Sequence, residues 1–141
     1  MTPIDSVSPE DAVVAPPLAD MDSQFYWDGL RARRLLVQRC AECECHRFPP
    51  MPACPSCAAP GGQVVELEPQ GTIYSWIVVH HAFAPAFRGE VPYVIAVVEL
   101  AEGCRLLARL EHQEPIEAGQ TVVGHYHAHG SWTELRFRVA V

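Results

Sequence analysis

The chain contains no lysine: its ten basic residues are all arginine, set against 17 acidic ones for a formal charge of −7. Total absence of one residue type reflects compositional bias in the source genome and assigns no function. Four of the acids (Asp5, Glu10, Asp11, Asp20) fall in the first 20 residues, which carry no Arg, leaving 13 acids against ten Arg. An acidic body without clustered cations is poor ground for tracking phosphates, so no nucleic-acid partner is expected. Long hydrophobic runs are missing as well. Ile73–Val79 and Val91–Val98 are far too short to span a bilayer, and no membrane partner is expected. The start has neither the basic stretch nor the apolar core of a secretory leader. The expected compartment is the cytoplasm, where six Cys point to metal or chemistry before disulfides. There is no G-x-S-x-G, no glycine-rich phosphate loop and no paired-carboxylate arrangement. No catalytic residue is expected.

What is present reads as a mainly β chain. Thirteen prolines in 141 residues are too many for a helical bundle and suit strands and turns. Residues 1–20, with Pro3, Pro9, Pro16 and Pro17 and little periodicity, read as a disordered tail. A helix over 21–35 follows, capped by Asp20 or Asp22 and running to about Arg34. Its aromatics Tyr26 and Trp27 either close the domain or dock on a partner. Residues 36–68 form a small ribbon, and from residue 69 the period becomes two. Gly71–His81 reads as a strand with Tyr74 and Trp76 on one face and Ile73, Ile77 and Val79 on the other. Val91–Leu100 is almost wholly apolar and reads as a central strand buried on both sides. A turn at Gly103 leads to Cys104–Leu110, with Cys104, Leu106, Ala108 and Leu110 inward and Arg105 and Arg109 outward. Thr121–His129 and Trp132–Val141 form a second hairpin across Gly130-Ser131. Five strands over 69–141 fit an oligonucleotide/oligosaccharide-binding (OB) barrel. An open five-stranded sheet packed on the ribbon is the alternative.

The chemistry lies in the ribbon. Cys40-Ala-Glu-Cys43 and Cys54-Pro-Ser-Cys57 are two C-x-x-C pairs ten residues apart. Each turn gathers two thiolates, and two such turns facing each other build a tetrahedral four-sulfur site. Zinc supplies about 10–16 kcal/mol of apparent folding free energy to small units of this kind, which have almost no core of their own. One structural zinc per chain is therefore expected, closed to substrate. Iron in a rubredoxin-like electron carrier is the chemical alternative. Arg39 and Arg47 lie close enough in sequence to offset the site's negative charge. Cys45 stands outside the pattern as a possible substitute ligand, and Cys104 reads as a buried strand residue.

His125, His127 and His129 alternate on one strand and share a face. Same-face neighbours lie about 6.8 Å apart, so the outer two are about 13 Å apart, too far to share one ion on a straight strand. A solvated or partner-facing row is the better reading, with a second, catalytic metal as the alternative. The aromatics Tyr74, Trp76, Tyr93 and Trp132 also leave open a single-stranded nucleic-acid module that stacks bases.

Several motifs in fixed order carry a family resemblance over about residues 22–141. They are Phe25-Tyr26-Trp27-Asp28-Gly29-Leu30, Leu36-Val37-Gln38-Arg39-Cys40, Arg47-Phe48-Pro49-Pro50, Gly71-Thr72-Ile73-Tyr74-Ser75, Val91-Pro92-Tyr93-Val94 and Glu99-Leu100. Together they resemble a bacterial and archaeal family of rubredoxin-like zinc ribbons fused to an OB-fold, long catalogued as a domain of unknown function. The resemblance implies an N-terminal helix and zinc ribbon followed by a five-stranded OB barrel, with Cys40, Cys43, Cys54 and Cys57 as the zinc ligands. It also implies a non-catalytic accessory or scaffold subunit of a thiolase-like acyl-CoA complex, such as an acyltransferase or retro-aldolase of lipid or polyketide metabolism. Other members sit with MaoC-type hydratases. In these complexes the partner carries the catalytic residues, and the small subunit stabilises it or lines its coenzyme A channel. The contact surface expected on this chain is Tyr26 and Trp27 with His81, Phe83, Phe87 and Arg88 of the loop between the first two barrel strands. Glu44 and Ala58 depart from the family, which usually has Gly after the second Cys of each knuckle to relax the turn.

Overall fold

The computed structural model describes residues 13–112 and 115–140. The expected tail falls outside the described residues as far as residue 12, and residues 13–20 carry no regular structure. Asp20 Oδ1 accepts hydrogen bonds from the Ser23 N–H (2.8 Å) and hydroxyl (2.7 Å), closing a turn that leads into α1 (Gln24–Arg31). The helix is shorter than the expected span to Arg34. Arg33 adopts a left-handed φ of 57°, and the Arg34 N–H turns back to the Gly29 carbonyl at 2.9 Å, which ends the helix and satisfies an orphan carbonyl.

Three short strands follow: β1 (Leu35–Arg39), β2 (His46–Arg47) and β3 (Gln63–Leu67). They form one antiparallel sheet in the order β2-β1-β3. The five remaining strands are β4 (Gln70–Val79), β5 (Tyr93–Leu100), β6 (Arg105–Glu111), β7 (Thr121–Ala128) and β8 (Thr133–Val139). They close a barrel in the order β4-β5-β6-β8-β7, so closure, not the open sheet, is the outcome. Two short seams complete it. Residues 70–72 of β4 pair with 121–123 of β7, and Leu110 lies beside Phe137 in a parallel β6–β8 contact.

The alternation expected for β6 is present, with Leu106, Ala108 and Leu110 buried. Two other strands differ. A bulge between Ile73 and Ser75 inserts one residue and reverses the side-chain parity beyond it. Ile77 therefore lands on the outer face, 62% exposed, and does not share the inward side with Ile73. β5 alternates buried and half-buried residues and is not buried on both sides, because nothing among the described residues covers the outer face of this part of the barrel.

Ribbon and barrel share one core. Leu30, Leu35 and Val37, all but inaccessible, join one buried cluster with Leu135, Phe137 and Val122. Fully burying each such side chain contributes about 1.5–3 kcal/mol. Tyr26 packs edge-on against Phe48 of the ribbon, and Trp27 against Trp132 at the β7–β8 hairpin. The aromatic helix thus ties the zinc-binding half to the barrel.

Candidate metal centre and partner surface

Cys40 follows β1 directly, and Cys54 follows the Pro-rich return from β2, so each C-x-x-C turn opens at the edge of the ribbon sheet. The Sγ atoms of Cys40, Cys43, Cys54 and Cys57 all lie within 4.8 Å of one another. Cys40 and Cys57 are 3.6 Å apart, Cys43 and Cys54 3.5 Å. A zinc–sulfur tetrahedron with bonds of about 2.3 Å has edges of about 3.8 Å, so the four sulfurs fit that ion. The two knuckles are built alike. The Glu44 N–H bonds the Cys40 carbonyl (3.1 Å) and the Ala58 N–H the Cys54 carbonyl (2.9 Å). Backbone N–H groups of Cys43 and Glu42 lower the Cys40 thiol, and those of Cys57 and Ser56 hold Cys54 down to about 6. A dipositive ion held by these four thiolates has no open position for substrate, and its contribution is structural.

Glu44 and Ala58 sit in the left-handed region at φ 63° and 64°, the conformation that favours Gly. A non-Gly residue there costs about 1–2 kcal/mol. Ala58→Gly is therefore expected to raise the Tm by a few degrees and slow zinc loss to a chelator, read by a colorimetric metal indicator. An unchanged release rate would mean the knuckle is not strained.

Arg47 is the residue that sequence reasoning underused. Expected only as a charge offset to the four sulfurs, it is 3% exposed. Its guanidinium donates to Gln38 Oε1 (3.1 Å), to the Met51 carbonyl (3.1 Å) and to the Gly61 carbonyl. Gln38 Oε1 in turn accepts from the Met51 N–H at 2.8 Å. Arg47 thereby pins both ends of the loop carrying the second knuckle. Arg39 instead lies outside, paired with Glu44 at 2.8 Å. Cys45 is exposed and outside the four-sulfur group, its carbonyl accepting from the Cys40 N–H. Cys104 is buried, and that burial pushes its thiol up.

Among the described residues, the four cysteines are the only group close enough to hold a metal. The histidine row is engaged otherwise. His129 Nε2–H donates to Glu134 (2.7 Å), Arg136 bonds Glu134 (3.0 Å) and reaches Glu111 (3.5 Å), and His125 lies 3.3 Å from Glu111. His127 packs edge-on against His129, which stacks on Trp132. These neighbours bury Arg136, which is only 8% exposed. Burial, then Arg136 and His129, hold His127 below its ordinary 6.5. At Glu134 burial pushes upward but is outweighed by the bonds from His129 and Arg136, leaving it below 4.5. In both cases the unfolded chain takes up the proton at higher pH than the folded one. Stability is then full above pH 6.5 and falls as the pH drops through 6.5 and then 4.5. Urea midpoints should decrease between about pH 7.5 and about pH 5, and His127→Gln should flatten the upper part of that decline.

The expected partner-contact residues fall into two neighbourhoods. Tyr26 is buried in the chain's own core and Trp27 half-buried against Trp132, so both serve to close the fold. On the loop after β4, Phe83 is 76% exposed and braced edge-on by His81. Phe87 turns back onto Tyr93, and Arg88 is half-buried beside it. Of the four aromatics offered as base-stacking platforms, Tyr74 carries Arg105 on its ring, Tyr93 carries Arg109, and Trp132 is stacked on His129. Six of the ten Arg are paired with carboxylates, and no cationic groove forms among the described residues. A depression of about 590 Å³ is lined by Glu68, Glu99 and Glu102, carboxylates that repel a phosphate-bearing ligand.

Two family models match consecutive stretches: the rubredoxin-like zinc ribbon domain of ChsH2 over residues 27–61 and the C-terminal OB-fold domain of ChsH2 over residues 64–125. A solved structure described as "Ltp2-ChsH2(DUF35) aldolase" superposes with a TM-score of 0.80 at 42% identity, covering 89% of this chain and 100% of that one. The chain belongs to the DUF35 family. Its DUF35 relatives include a probable enoyl-CoA hydratase alpha subunit of Thermomonospora curvata, 45% identical over 109 residues. That match takes in 76% of this chain but 34% of the relative, so the chain spans about a third of that protein. The benzoylsuccinyl-CoA thiolase subunit BbsA of Thauera aromatica is 35% identical over 88 residues, 60% of this chain and 56% of that one. A zinc ribbon with four cysteines placed for one ion, joined to a five-stranded OB barrel, is thus the form of this DUF35 chain. No described helix is long and apolar enough to cross a membrane.

Proposed function

We propose that this DUF35 chain is a non-catalytic accessory subunit of a thiolase-like acyl-CoA complex that forms or cleaves carbon–carbon bonds. The observation that carries the reading is the 42% identity across the whole of the DUF35 chain of an aldolase. Relatives named as a thiolase subunit and an enoyl-CoA hydratase subunit point to the same substrate class. The chain's own chemistry agrees. Its metal site is closed and its largest side-chain network is a set of internal ion pairs. Its acidic depression does not suit a coenzyme A phosphate, so coenzyme A is held through the partner.

The zinc on Cys40, Cys43, Cys54 and Cys57 fixes the ribbon, and α1 locks the ribbon to the barrel. The assembled surface then stabilises the partner and borders its coenzyme A channel. The working boundaries are an N-terminal segment over 21–35 that carries α1, the ribbon over 36–68 and the barrel over 69–141. Six unpaired cysteines fit the reducing cytoplasm. The test is co-purification of the full chain from its native host, with subunits identified and counted by mass spectrometry. A thiolase-like or MaoC-type subunit in fixed ratio is expected. Recovery of the chain alone, or with nucleic acid, would contradict the reading.

A further inference from the structure

Beyond Ile73, β4 runs past its neighbour. Its pairing with β7 stops at Thr72, and the last bonds on that side are Ile73 N–H to the Gln120 carbonyl (3.0 Å) and Gly119 N–H to the Ile73 carbonyl (2.8 Å). From Tyr74 to Val79 the strand is bonded to β5 alone among the described residues. Antiparallel pairing uses alternate backbone groups, so the others point outward from a free edge. The six residues Tyr-Ser-Trp-Ile-Val-Val contain no charge and no proline. An exposed apolar edge of this kind is a template for another strand, and stable proteins leave one bare only where something covers it.

The side chains around the edge are apolar too. Tyr74 is 53% exposed, Trp76 37%, Ile77 62% and Val78 46%, with Leu107 of β6 at 70% and Phe83 of the following loop at 76%. Cross-strand register sets Ile77 beside Ile95 and Val97 beside Leu107, extending one outer face across β4, β5 and β6. Trp76 and Val78, opposite the buried Ala96 and Val94, point to the other side of the strand, so the edge offers apolar side chains on both of its faces. The bordering cations are neutralised in place. Arg105 lies over Tyr74 and bonds Glu99, and Arg109 lies over Tyr93 and bonds Glu90. The surface therefore suits an apolar, uncharged strand edge. A second copy is opposed by the chain's own charge of −7.

We propose that the free edge of β4 with the outer face of β4–β5–β6 is where the acyl-CoA enzyme subunit docks, by adding one of its own strands to β4. This rests on the accessory-subunit reading. The probe is the purified enzyme subunit that co-purifies in fixed ratio, titrated with the full-length, zinc-loaded chain. Ile77→Glu combined with Leu107→Glu should weaken binding about 100-fold or more while zinc content stays at one per chain. Because both residues are exposed, little change in Tm is expected. Amide exchange on the unmutated chain provides an independent readout, and Trp76 and Val78 should gain protection in the complex. Undiminished affinity, or no added protection over residues 74–79, would overturn the docking surface and leave the accessory role standing. Failure of the unmutated chain to bind any such subunit would remove the accessory role itself. A dimer of the chain alone, dissolved by Ile77→Glu, would assign the surface to a second copy and overturn the proposal.

Discussion

Cys54→Ser is expected to release the zinc and unfold the ribbon, because the metal provides most of what holds residues 40–62 together. Among the described residues of that stretch, the only regular strand is the two-residue β2, and the second knuckle is tied down by Arg47, an isolated Ala53–Pro60 bridge and the ion. Apparent zinc binding energy in such units is about 10–16 kcal/mol, far more than those bonds supply. The effect should not stop at the ribbon. Leu30, Leu35 and Val37 share one core with Leu135 and Phe137, so loss of the knuckles exposes the barrel end that α1 and β1 cover. We expect metal analysis to fall from one zinc to none and the Tm to drop steeply, with a chelator reproducing both on the unmutated chain. A variant that lost zinc but kept the full Tm would show that the ribbon folds without its metal. One zinc per chain also separates this site from a red, iron-containing electron carrier and from a second metal on the histidines.

Gly71→Ala is expected to force β4 away from β5 beside the barrel seam. Gly71 lies between Leu100 of β5 and Val122 of β7, paired with both. A Cβ there would sit 2.2 Å from the Glu99 carbonyl oxygen and 3.0 Å from a Val98 methyl. The obstacle is backbone, which a rotamer change cannot relieve. Overpacking of this kind costs about 3 kcal/mol or more, a Tm drop of about 10 °C for a chain of this length. Calorimetry on Gly71→Ala beside Gly89→Ala, whose added methyl meets nothing within 4 Å, isolates the effect. Equal Tm values for the two would mean that β4 does not lie against the Glu99 backbone of β5 as described.

Much of the fold was legible because its strands alternate. Leu106, Ala108 and Leu110 sit inward as their period-two spacing requires, and Gly103 (φ 92°) makes the turn before them. The metal group was legible for a different reason. A C-x-x-C turn fixes its two sulfurs locally, and two turns at that separation need little else to meet. The positions of Glu44 and Ala58, left-handed in the structure, were marked by the family resemblance, which implies Gly there.

What the sequence concealed depends on register and on packing between distant segments. The bulge at Tyr74 has no residue signature, and one extra residue there turns Ile77 from an inward to an exposed position. That single shift creates the apolar face now offered to a partner, whereas Tyr26, a contact candidate by composition, is spent inside. The burial of Arg47 and Arg136 is equally hidden. Each is buried by groups far away in sequence, Arg47 by Gln38 and Gly61, Arg136 by Glu111 and the histidine row. A signal for Arg47 did exist in its place just before Phe48-Pro49-Pro50, between the knuckles, where a long side chain can reach both loops.

The most direct test of the accessory-subunit account is reconstitution with a coenzyme A ester. The partner subunit, this chain and their equimolar mixture are each assayed for carbon–carbon bond formation or cleavage. The account predicts no turnover by the chain alone. It predicts that adding the zinc-loaded chain raises the activity or lifetime of the partner, and that the Cys54→Ser chain does neither. Turnover by the chain alone, or a partner indifferent to its presence, would contradict it.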